Sequence, residues 1–206
     1  RNMVGEYRYT SEFKEMMGTL KVLDLYKIHP QKVLDVGSSN GLWLSYLYEK
    51  FKCECHAIEP SEEAINDGVK KYPFIKFNRG MANQIAYQEE YFDLIHMNFV
   101  FSWISRETLL KSVSEIDRVL KNEGLFLLRD FYCKADEKVK YHHEENVWTY
   151  KQDYSKLFTS MGMYDLVAML TGSEHDEIAL EKNKNKRTAI ALLQKNKDLY
   201  KISELK

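Results

Sequence analysis

Cysteine and proline are both scarce in this chain of 206 residues, which contains three of each. Three cysteines do not form the even, regularly spaced set of a disulfide framework, so we expect reduced thiols. Cys53 and Cys55 alternate along a predicted strand, and we expect their side chains on opposite faces of it. With so few prolines we also expect few rigid loops, whereas 14 tyrosines offer many amphipathic ring contacts.

Long apolar runs and an excess of charge of one sign are missing as well. No uninterrupted run approaches the roughly 20 residues that cross a bilayer, and no signal-peptide pattern is visible. The formal net charge is −1, so no overall field attracts nucleic acid or an anionic membrane. We therefore expect a cytoplasmic protein without nucleic-acid or membrane partners. The sequence leaves open whether the chain forms a homodimer.

Apolar runs alternate with amphipathic segments along most of the chain. The runs predict strands over 32–37, 53–60, 73–80, 91–101 and 123–131, and helical spacing predicts helices over 9–28, 42–51, 62–72, 105–122 and 151–162. Strands that are apolar throughout are typical of a parallel sheet covered by helices on both faces. The last runs, 163–170 and 187–195, have no long helix between them, which predicts an antiparallel hairpin. We predict a doubly wound α/β fold.

The turn after the first strand, VLDVGSSNG, has the composition of a ligand-binding loop. In a doubly wound sheet, ligands bind beyond the carboxyl ends of the strands, where the strand order reverses. Gly37 removes a side chain at the turn, Gly41 allows the helix to pack closely, and we expect the N–H groups between them to face a ligand. Glu59 ends the second predicted strand, where a carboxylate accepts both hydroxyls of a ribose. Together they predict a nucleoside-binding site.

The spacing of the glycines distinguishes between two classes of nucleoside ligand. The dinucleotide fingerprint is G-x-G-x-x-G, whereas this loop has only Gly37 and Gly41, with Asp35 two residues before the first. A carboxylate at that position suits a cationic or amino-acid-bearing ligand better than a pyrophosphate. The pattern favours S-adenosylmethionine, with a nicotinamide-dependent oxidoreductase and a non-catalytic binding partner of another enzyme as the alternatives.

Five segments resemble the motifs of class I S-adenosylmethionine-dependent methyltransferases, in the family's order and spacing between Val33 and about Asp130. They are VLDVGSSNG, AIEPS, FNRGMANQI, YFDLIHMNFVFSWI and EIDRVLKNEGLFLLRDF. The resemblance implies a Rossmann-like, mostly parallel sheet of seven strands whose last strand is antiparallel. It also implies S-adenosylmethionine as the cofactor. Ser39 stands where the family's middle glycine usually is, and Met81 replaces an acid, so we expect Met81 to pack on the adenine.

The resemblance assigns most of the donor site to strand ends. The predicted cofactor-binding residues are Tyr9, Asp35, Gly37, Ser38, Ser39, Gly41, Glu59, Pro60, Gly80, Met81, Ala82, Asn98 and Phe99. Trp43 and Trp103 either wall the donor pocket or pack in the core. His96 lies inside an apolar strand, and we expect a core histidine there. No metal site is predicted.

The segment after the fifth strand carries a second, narrower resemblance. The pieces RDF, YHH, TYKQDYSKLF and GMY are similar to a subgroup of small-molecule methyltransferases found with surface-polysaccharide biosynthesis enzymes, and to a phosphonate O-methyltransferase. This implies a small acceptor, phosphorylated, phosphonate or sugar-linked, that is methylated on oxygen. The candidate catalytic residues are His142, His143 and Tyr150, and the candidate substrate-binding residues are Arg8, Arg129, His142, His143 and Lys151. That the two histidines are ordinary surface residues is an equally open interpretation.

We predict one methyltransferase domain over residues 1–206, built from four consecutive parts. Residues 1–30 form an N-terminal helix that closes over the cofactor as a lid, with Arg8 and Tyr9 at its start. Residues 31–130 form the donor-binding core, 131–162 build the acceptor pocket, and 163–206 form the terminal hairpin and tail.

Overall fold

The computed structural model describes residues 18–133, 135–140, 148–160, 162–174 and 178–197. The described strands are β1 (Lys32–Val36), β2 (Glu54–Glu59), β3 (Lys76–Arg79), β4 (Phe92–Asn98), β5 (Leu120–Phe131), β6 (Glu137–Lys140), β7 (Trp148–Lys151), β8 (Tyr164–Ser173) and β9 (Arg187–Lys195). The described helices are α1 (residues 18–25), α2 (Leu42–Phe51), α3 (Glu62–Lys71), α4 (Arg106–Val119) and α5 (Lys156–Thr159), with a 3-10 turn at Phe101–Trp103.

Seven strands form one sheet in the order β3-β2-β1-β4-β5-β9-β8. The first five pair in parallel, whereas β9 runs antiparallel to both of its neighbours. The strand order reverses between β1 and β4, so the loop after β1 lies at the switch point where such sheets bind ligands. The predicted doubly wound α/β fold with its antiparallel terminal hairpin is confirmed.

Alternation along the central strands divides the core into two layers. Val33 on β1 packs with Leu44 and Leu47 of α2 on one face, whereas Leu34 and Val36 pack on the other face in the cluster that includes residues of α4. Both faces of the sheet are therefore buried, which explains why the strands read as continuous apolar runs. None of the helices in the described ranges has the length and apolar character needed to cross a membrane.

Local sequence signals set the start of α3. The Ser61 hydroxyl accepts a hydrogen bond from the Ala64 backbone N–H at 3.3 Å, and Glu62 and Glu63 occupy the first turn. An N-cap hydroxyl satisfies one of the free N–H groups, and acidic residues interact favourably with the positive end of the helix dipole.

Two local expectations were wrong. The Sγ atoms of Cys53 and Cys55 lie 3.6 Å apart, because residues two apart on a strand share a face rather than opposing each other. The helix expected over 151–162 is reduced to the single turn of α5. The polar segment between β5 and α5 also contains the antiparallel pair β6 and β7.

Candidate functional site

The loop between β1 and α2 adopts left-handed backbone conformations at three alternate positions. Gly37, Ser39 and Gly41 have φ angles of 77°, 51° and 83°. These are the three positions where the resembled motif D-x-G-x-G-x-G has glycine, so the spacing encodes backbone shape. Ser39 adopts the same conformation despite its side chain, which shows that the substitution preserves the course of the loop.

The two glycines of this loop are also required by close contacts. A Cβ atom at Gly37 would lie 2.5 Å from Cγ2 of Val100, beyond the end of β4. A Cβ atom at Gly41 would lie 2.7 Å from Cζ of Phe77 on β3. Gly37 borders the cavities described below. Gly41 lines neither cavity, and it brings the start of α2 against β3, which is the close packing expected of it.

The backbone N–H groups of the loop are used within the protein. Those of Gly37 and Ser38 donate to the carbonyl oxygen of Ile58 at 2.8 and 3.3 Å, and that of Gly41 donates to Ser38 at 2.9 Å. The Ser39 N–H donates to Oε2 of Glu59 at 2.8 Å. The N–H groups of Ser38 and Ser39, which were expected to face a ligand, are therefore occupied within the protein.

Glu59, at the end of β2, joins the loops that follow β1 and β2. Its side chain is buried, with Oε2 accepting from Ser39 and Oε1 accepting from the backbone N–H of Ser61 at 2.9 Å. Each carboxylate oxygen has two lone-pair sites, so one site on each oxygen stays available. Two acceptors side by side at a strand end suit the paired hydroxyls of a ribose.

Two cavities lie at the carboxyl ends of the strands, and Gly37 lines both of them. The polar cavity, of about 190 Å³, is lined by Asp35, Gly37, Ser38, Ser39, Asn40, Leu42, Trp43, His96, Asn98 and Phe99. The apolar cavity, of about 400 Å³, is lined by Val36, Gly37, Ile58, Pro60, Gly80, Met81, Ala82, Asn83, Val100, Trp103, Ile104, Ser105, Thr108 and Ser112. Ten predicted cofactor-binding residues therefore fall on cavity walls at one edge of the sheet, whereas Gly41 and Glu59 line neither cavity.

A buried histidine that was expected to be a core residue lines the polar cavity. His96 on β4 contacts Asp35 on β1, with Nδ1 and Oδ1 2.8 Å apart. Its ring stacks on Trp43 with centroids 3.7 Å apart, and the Trp43 indole N–H donates to Thr19 of α1 at 2.9 Å. His96 Nε2 is buried without a hydrogen-bond partner in the described part of the chain. The polar residue inside the apolar run LIHMN was the available signal.

The residues expected to bind the acceptor have different surroundings. Arg129 is fully buried, and its guanidinium carbon lies 4.7 Å from the ring centroid of Phe99. Lys151 pairs with Glu174 at 3.3 Å. The Tyr150 ring is covered by the Arg106 guanidinium and lines neither cavity. Arg8, Tyr9, His142 and His143 lie outside the described residues.

Asp130, next to the buried arginine, was not predicted as a special residue. It accepts hydrogen bonds from the backbone N–H groups of Ser102 at 3.2 Å and Phe131 at 2.8 Å. Removal from water raises the pKa of Asp130 to about 7, from an ordinary value of 3.8. Its place at the end of the apolar run LFLLRDF was the signal for this burial.

The arrangement fits an adenosine with an amino-acid extension. An apolar cavity accepts a flat base, Glu59 offers acceptors for hydroxyls beside the loop, and the polar cavity contains buried polar groups without partners. Gly37 stands between the two cavities, where any side chain would meet Val100.

Comparison with known proteins finds similarity to methyltransferases. The chain matches the family described as Methyltransferase domain over residues 34–128. It is 25% identical over 116 residues to malonyl-(acyl-carrier protein) O-methyltransferase of Halorhodospira halophila, covering 54% of this chain and 39% of that protein. It is 27% identical over 113 residues to the uncharacterized methyltransferase YcgJ of Bacillus subtilis, covering 51% and 42%. The chain thus spans about two fifths of the length of these relatives.

A solved structure shows the same fold. The 1,6-didemethyltoxoflavin-N1-methyltransferase of Burkholderia thailandensis, with bound 1,6-didemethyltoxoflavin and S-adenosylhomocysteine, superimposes with a TM-score of 0.71 at 14% identity, covering 88% of this chain and 78% of that one. The α/β Rossmann-like fold is shared with that protein. Residues 34–128, which contain the β1–α2 loop and Glu59, are similar to methyltransferase domains.

Proposed function

We propose that this protein transfers a methyl group from S-adenosylmethionine to a small-molecule acceptor. The observation that carries the proposal is the pair of cavities meeting at Gly37, with Glu59 linking the loops beside them. The position at the reversal of strand order is where doubly wound sheets bind nucleosides. The glycine spacing counts against a nicotinamide cofactor, because the third glycine of that fingerprint is missing.

Three parts of the donor bind at three different places in the site. The apolar cavity holds the adenine, with Met81 and Val100 among its walls. Glu59 accepts hydrogen bonds from the ribose hydroxyls through the lone pairs left by Ser39 and Ser61. The polar cavity holds the amino-acid end, above Asp35 and Trp43.

When bound, the donor supplies a methyl group already activated on a sulfonium. The protein therefore acts mainly by alignment and by excluding water, which together account for large rate accelerations in such reactions. Asn98 and Phe99, at the end of β4, border the polar cavity and orient the reacting groups. A base is needed only for an acceptor that carries a proton at working pH, and we propose His142 and His143 for that role.

We further propose that the acceptor is small and anionic or sugar-linked, and that it is methylated on oxygen. A third cavity supports the anionic part, because it is lined by Lys156, Lys184 and Arg187 together with Tyr132, Cys133 and Asp153. It measures about 320 Å³ and follows directly on β5. Lys151, which pairs with Glu174 at 3.3 Å, and Arg129 remain proposed acceptor-binding residues beside these cations. Arg8 and Tyr9 keep their proposed role in a lid.

Calorimetric titration with S-adenosylhomocysteine tests the donor site. We expect Glu59→Gln to weaken binding by roughly tenfold or more, because the amide places N–H groups where Ser39, Ser61 or a ribose hydroxyl donates. Glu62→Gln is the matched control, since Glu62 is exposed and pairs only with exposed Arg79 among the described residues. We expect this variant to bind as tightly as the wild type.

The wild-type protein is then tested with S-adenosylmethionine and a set of candidate acceptors, namely phosphorylated sugars and small phosphonates. Release of S-adenosylhomocysteine measures turnover. Turnover of a neutral, sugar-free acceptor alone would contradict the proposed acceptor class. Binding of NADH without binding of S-adenosylhomocysteine would replace the proposed function with the oxidoreductase alternative. Donor binding without turnover of any acceptor would favour a non-catalytic binding partner.

A further inference from the structure

The third cavity, which follows β5, has an excess of positive charge on its walls. Lys156, Lys184 and Arg187 line it, and Asp153 is the one carboxylate among its described lining residues. The polar and apolar cavities, by contrast, have no lysine or arginine on their described walls. A concave surface of one charge sign concentrates ligands of the opposite sign, so the third cavity is suited to an anion.

Arg187 is held in place at the start of β9. Its backbone carbonyl oxygen accepts from the Tyr132 N–H at 2.8 Å, and its Nε donates to the Glu181 carbonyl oxygen at 2.8 Å. The Nη1 and Nη2 groups make no hydrogen bond or ion pair with the residues that the structure describes. A guanidinium group fixed in this way presents two parallel donors to the oxygen atoms of an anion.

Lys184 lies in a turn that is attached to the wall of the same cavity. The Lys186 N–H donates to the Asn183 carbonyl oxygen at 2.9 Å, which closes a turn over residues 183–186. The thiol of Cys133, another lining residue, donates to the Asn185 carbonyl oxygen at 3.1 Å. These contacts fix the backbone from which the Lys184 side chain reaches the cavity.

The carboxylate of the third cavity is already engaged within the protein. Asp153 Oδ1 accepts from the backbone N–H and the hydroxyl of Ser155 at 3.1 and 2.5 Å. Its Oδ2 lies 3.8 Å from Nζ of Lys156, whose side chain is exposed. The charge of Asp153 therefore offsets that of Lys156, and Arg187 and Lys184 are the two cations left for a ligand.

The third cavity is displaced along β5 from the reacting centre of the proposed function. Asn98 and Phe99 border the polar cavity and are level with Arg129, which pairs with Asn98 and accepts from the Phe99 N–H at 2.8 Å. Tyr132 is three residues further on, which corresponds to roughly 10 Å of extended chain. The rings of Phe99 and Phe131, with centroids 5.4 Å apart, connect the two levels.

Charge and distance together define the ligand. A phosphoryl group carries about −1.5 to −2 charges near neutral pH, which matches two cations better than the single charge of a carboxylate does. Direct transfer needs the reacting atoms roughly 3–3.5 Å apart, so an anion in the third cavity lies too far from the donor to be methylated itself. Resting on the proposed function, we propose that Arg187 and Lys184 bind a phosphoryl group of the acceptor as an anchor, and that a hydroxyl elsewhere in the acceptor is methylated.

The anchor distinguishes two acceptor chemistries, methylation of a phosphonate oxygen and methylation of a hydroxyl on the organic part. In the second, the hydroxyl oxygen forms a C–O bond as the C–S bond of the donor breaks. The sulfur keeps the electron pair of that bond and leaves as S-adenosylhomocysteine, and the hydroxyl proton is released. The acceptor class is then a phosphate or phosphonate ester in which a spacer, such as a sugar ring, separates the anion from the methylated oxygen.

Calorimetric titration with inorganic phosphate, at constant ionic strength in sodium chloride, tests the anion site without any donor. We expect Lys184→Met to weaken phosphate binding by roughly 3- to 10-fold and Arg187→Gln by roughly tenfold or more, because each loses charge-assisted hydrogen bonds. Lys182→Met and Lys186→Met are the matched controls, since both lysines are exposed in the same loop and neither lines the cavity. We expect the controls to bind phosphate within about twofold of the wild type.

The other results of this titration would overturn the anion site. Equal losses in Lys184→Met and in the two controls would mean that the loop attracts anions through its overall charge alone. Acetate that binds as tightly as phosphate would contradict the assignment to a phosphoryl group. A wild-type protein that does not bind phosphate would contradict the site as a whole.

Titration of the same variants with S-adenosylhomocysteine separates this inference from the proposed function. We expect Lys184→Met to bind this ligand as the wild type does, because Lys184 lines neither the polar nor the apolar cavity. A wild-type protein that binds S-adenosylhomocysteine but not phosphate would overturn the anion site alone. One that binds phosphate but not S-adenosylhomocysteine would remove the proposed function, and the anchor role with it.

The anchor role is tested with S-adenosylmethionine and methylphosphonate, followed by ³¹P spectroscopy. We expect methylphosphonate to bind without forming a methyl ester, and formation of the ester would place the anion at the reacting centre and overturn the anchor. For a phosphorylated sugar that is turned over, we expect Lys184→Met to raise KM by roughly 3- to 10-fold with kcat within about twofold, because an anchor binds ground state and transition state alike. A fall in kcat with unchanged KM would contradict this role.

Discussion

Gly37 illustrates how one residue position serves both the backbone and the site. Its φ of 77° lies in the left-handed region, and its missing side chain leaves room for Val100. Ser39, with a φ of 51°, shows that the left-handed conformation alone is tolerated by a residue with a side chain. The steric contact with Val100 is therefore what requires glycine at position 37.

At this scale we predict that Gly37→Ala lowers the free energy of unfolding by about 1–3 kcal/mol. The new Cβ would lie 2.5 Å from Cγ2 of Val100, so the loop or the valine must move. The double variant Gly37→Ala/Val100→Ala removes the clashing atom and is expected to recover at least about 0.5 kcal/mol relative to additivity. Urea unfolding without ligand measures all three variants, and strict additivity would show that backbone strain alone is responsible.

At the scale of elements, the junction between α4 and β5 depends on a buried lysine from the last strand. Lys195, at the end of β9, is 1% exposed. Its ammonium donates to the backbone carbonyl groups of Asp117 and Leu120 and lies 3.1 Å from Oδ1 of Asp117. A cation at this position satisfies terminal carbonyl groups of the helix and interacts favourably with the negative end of its dipole.

We predict that Lys195→Met destabilises the protein by roughly 3 kcal/mol, because it leaves buried carbonyl groups and the Asp117 carboxylate without their cation. Lys197→Met is the matched control: Lys197 also pairs with a carboxylate, that of Glu90, but on the exposed surface. We expect the control to unfold at the wild-type urea midpoint. Similar shifts in both variants would mean that lost side-chain packing, rather than burial of the charge pair, sets the effect.

For the whole molecule, burial of Asp130 links stability to pH. Its pKa is about 7 in the folded protein, whereas in the unfolded chain an aspartate has a pKa near its ordinary value of 3.8. Between these values the folded protein keeps a proton that the unfolded chain has released. The contribution of this group is therefore fully present at acidic pH and is lost as pH rises toward 7.

We predict that the free energy of unfolding of the wild type, minus that of Asp130→Asn, falls by up to about 1.4 kcal/mol per pH unit between pH 5 and 7. Taking this difference removes the shared effect of His56, whose pKa is lowered by burial and which acts in the opposite direction. Urea unfolding at half-unit pH intervals provides the measurement. Parallel curves for the two proteins would show that Asp130 stays ionised in the fold.

The sequence by itself determined the succession of strands and helices from β1 to β5, the antiparallel hairpin and the loop at the switch point. These features follow from local patterns: apolar runs, helical spacing, an N-cap at Ser61 and two glycines four residues apart. Such patterns report backbone conformation, which is decided by neighbouring residues. For that reason Ser39 could be assigned to the loop although its identity departs from the resembled motif.

Only the tertiary structure decided which side chains meet across the chain. The contact of His96 with Asp35 joins residues 61 apart, and that of Lys195 with the end of α4 joins residues 75 apart. The internal use of the loop N–H groups and the pairing of Lys151 with Glu174 also depend on groups distant in the sequence. Strand register and side-chain burial set these contacts. Neither can be predicted from a local sequence pattern, because both arise only when the sheet is assembled.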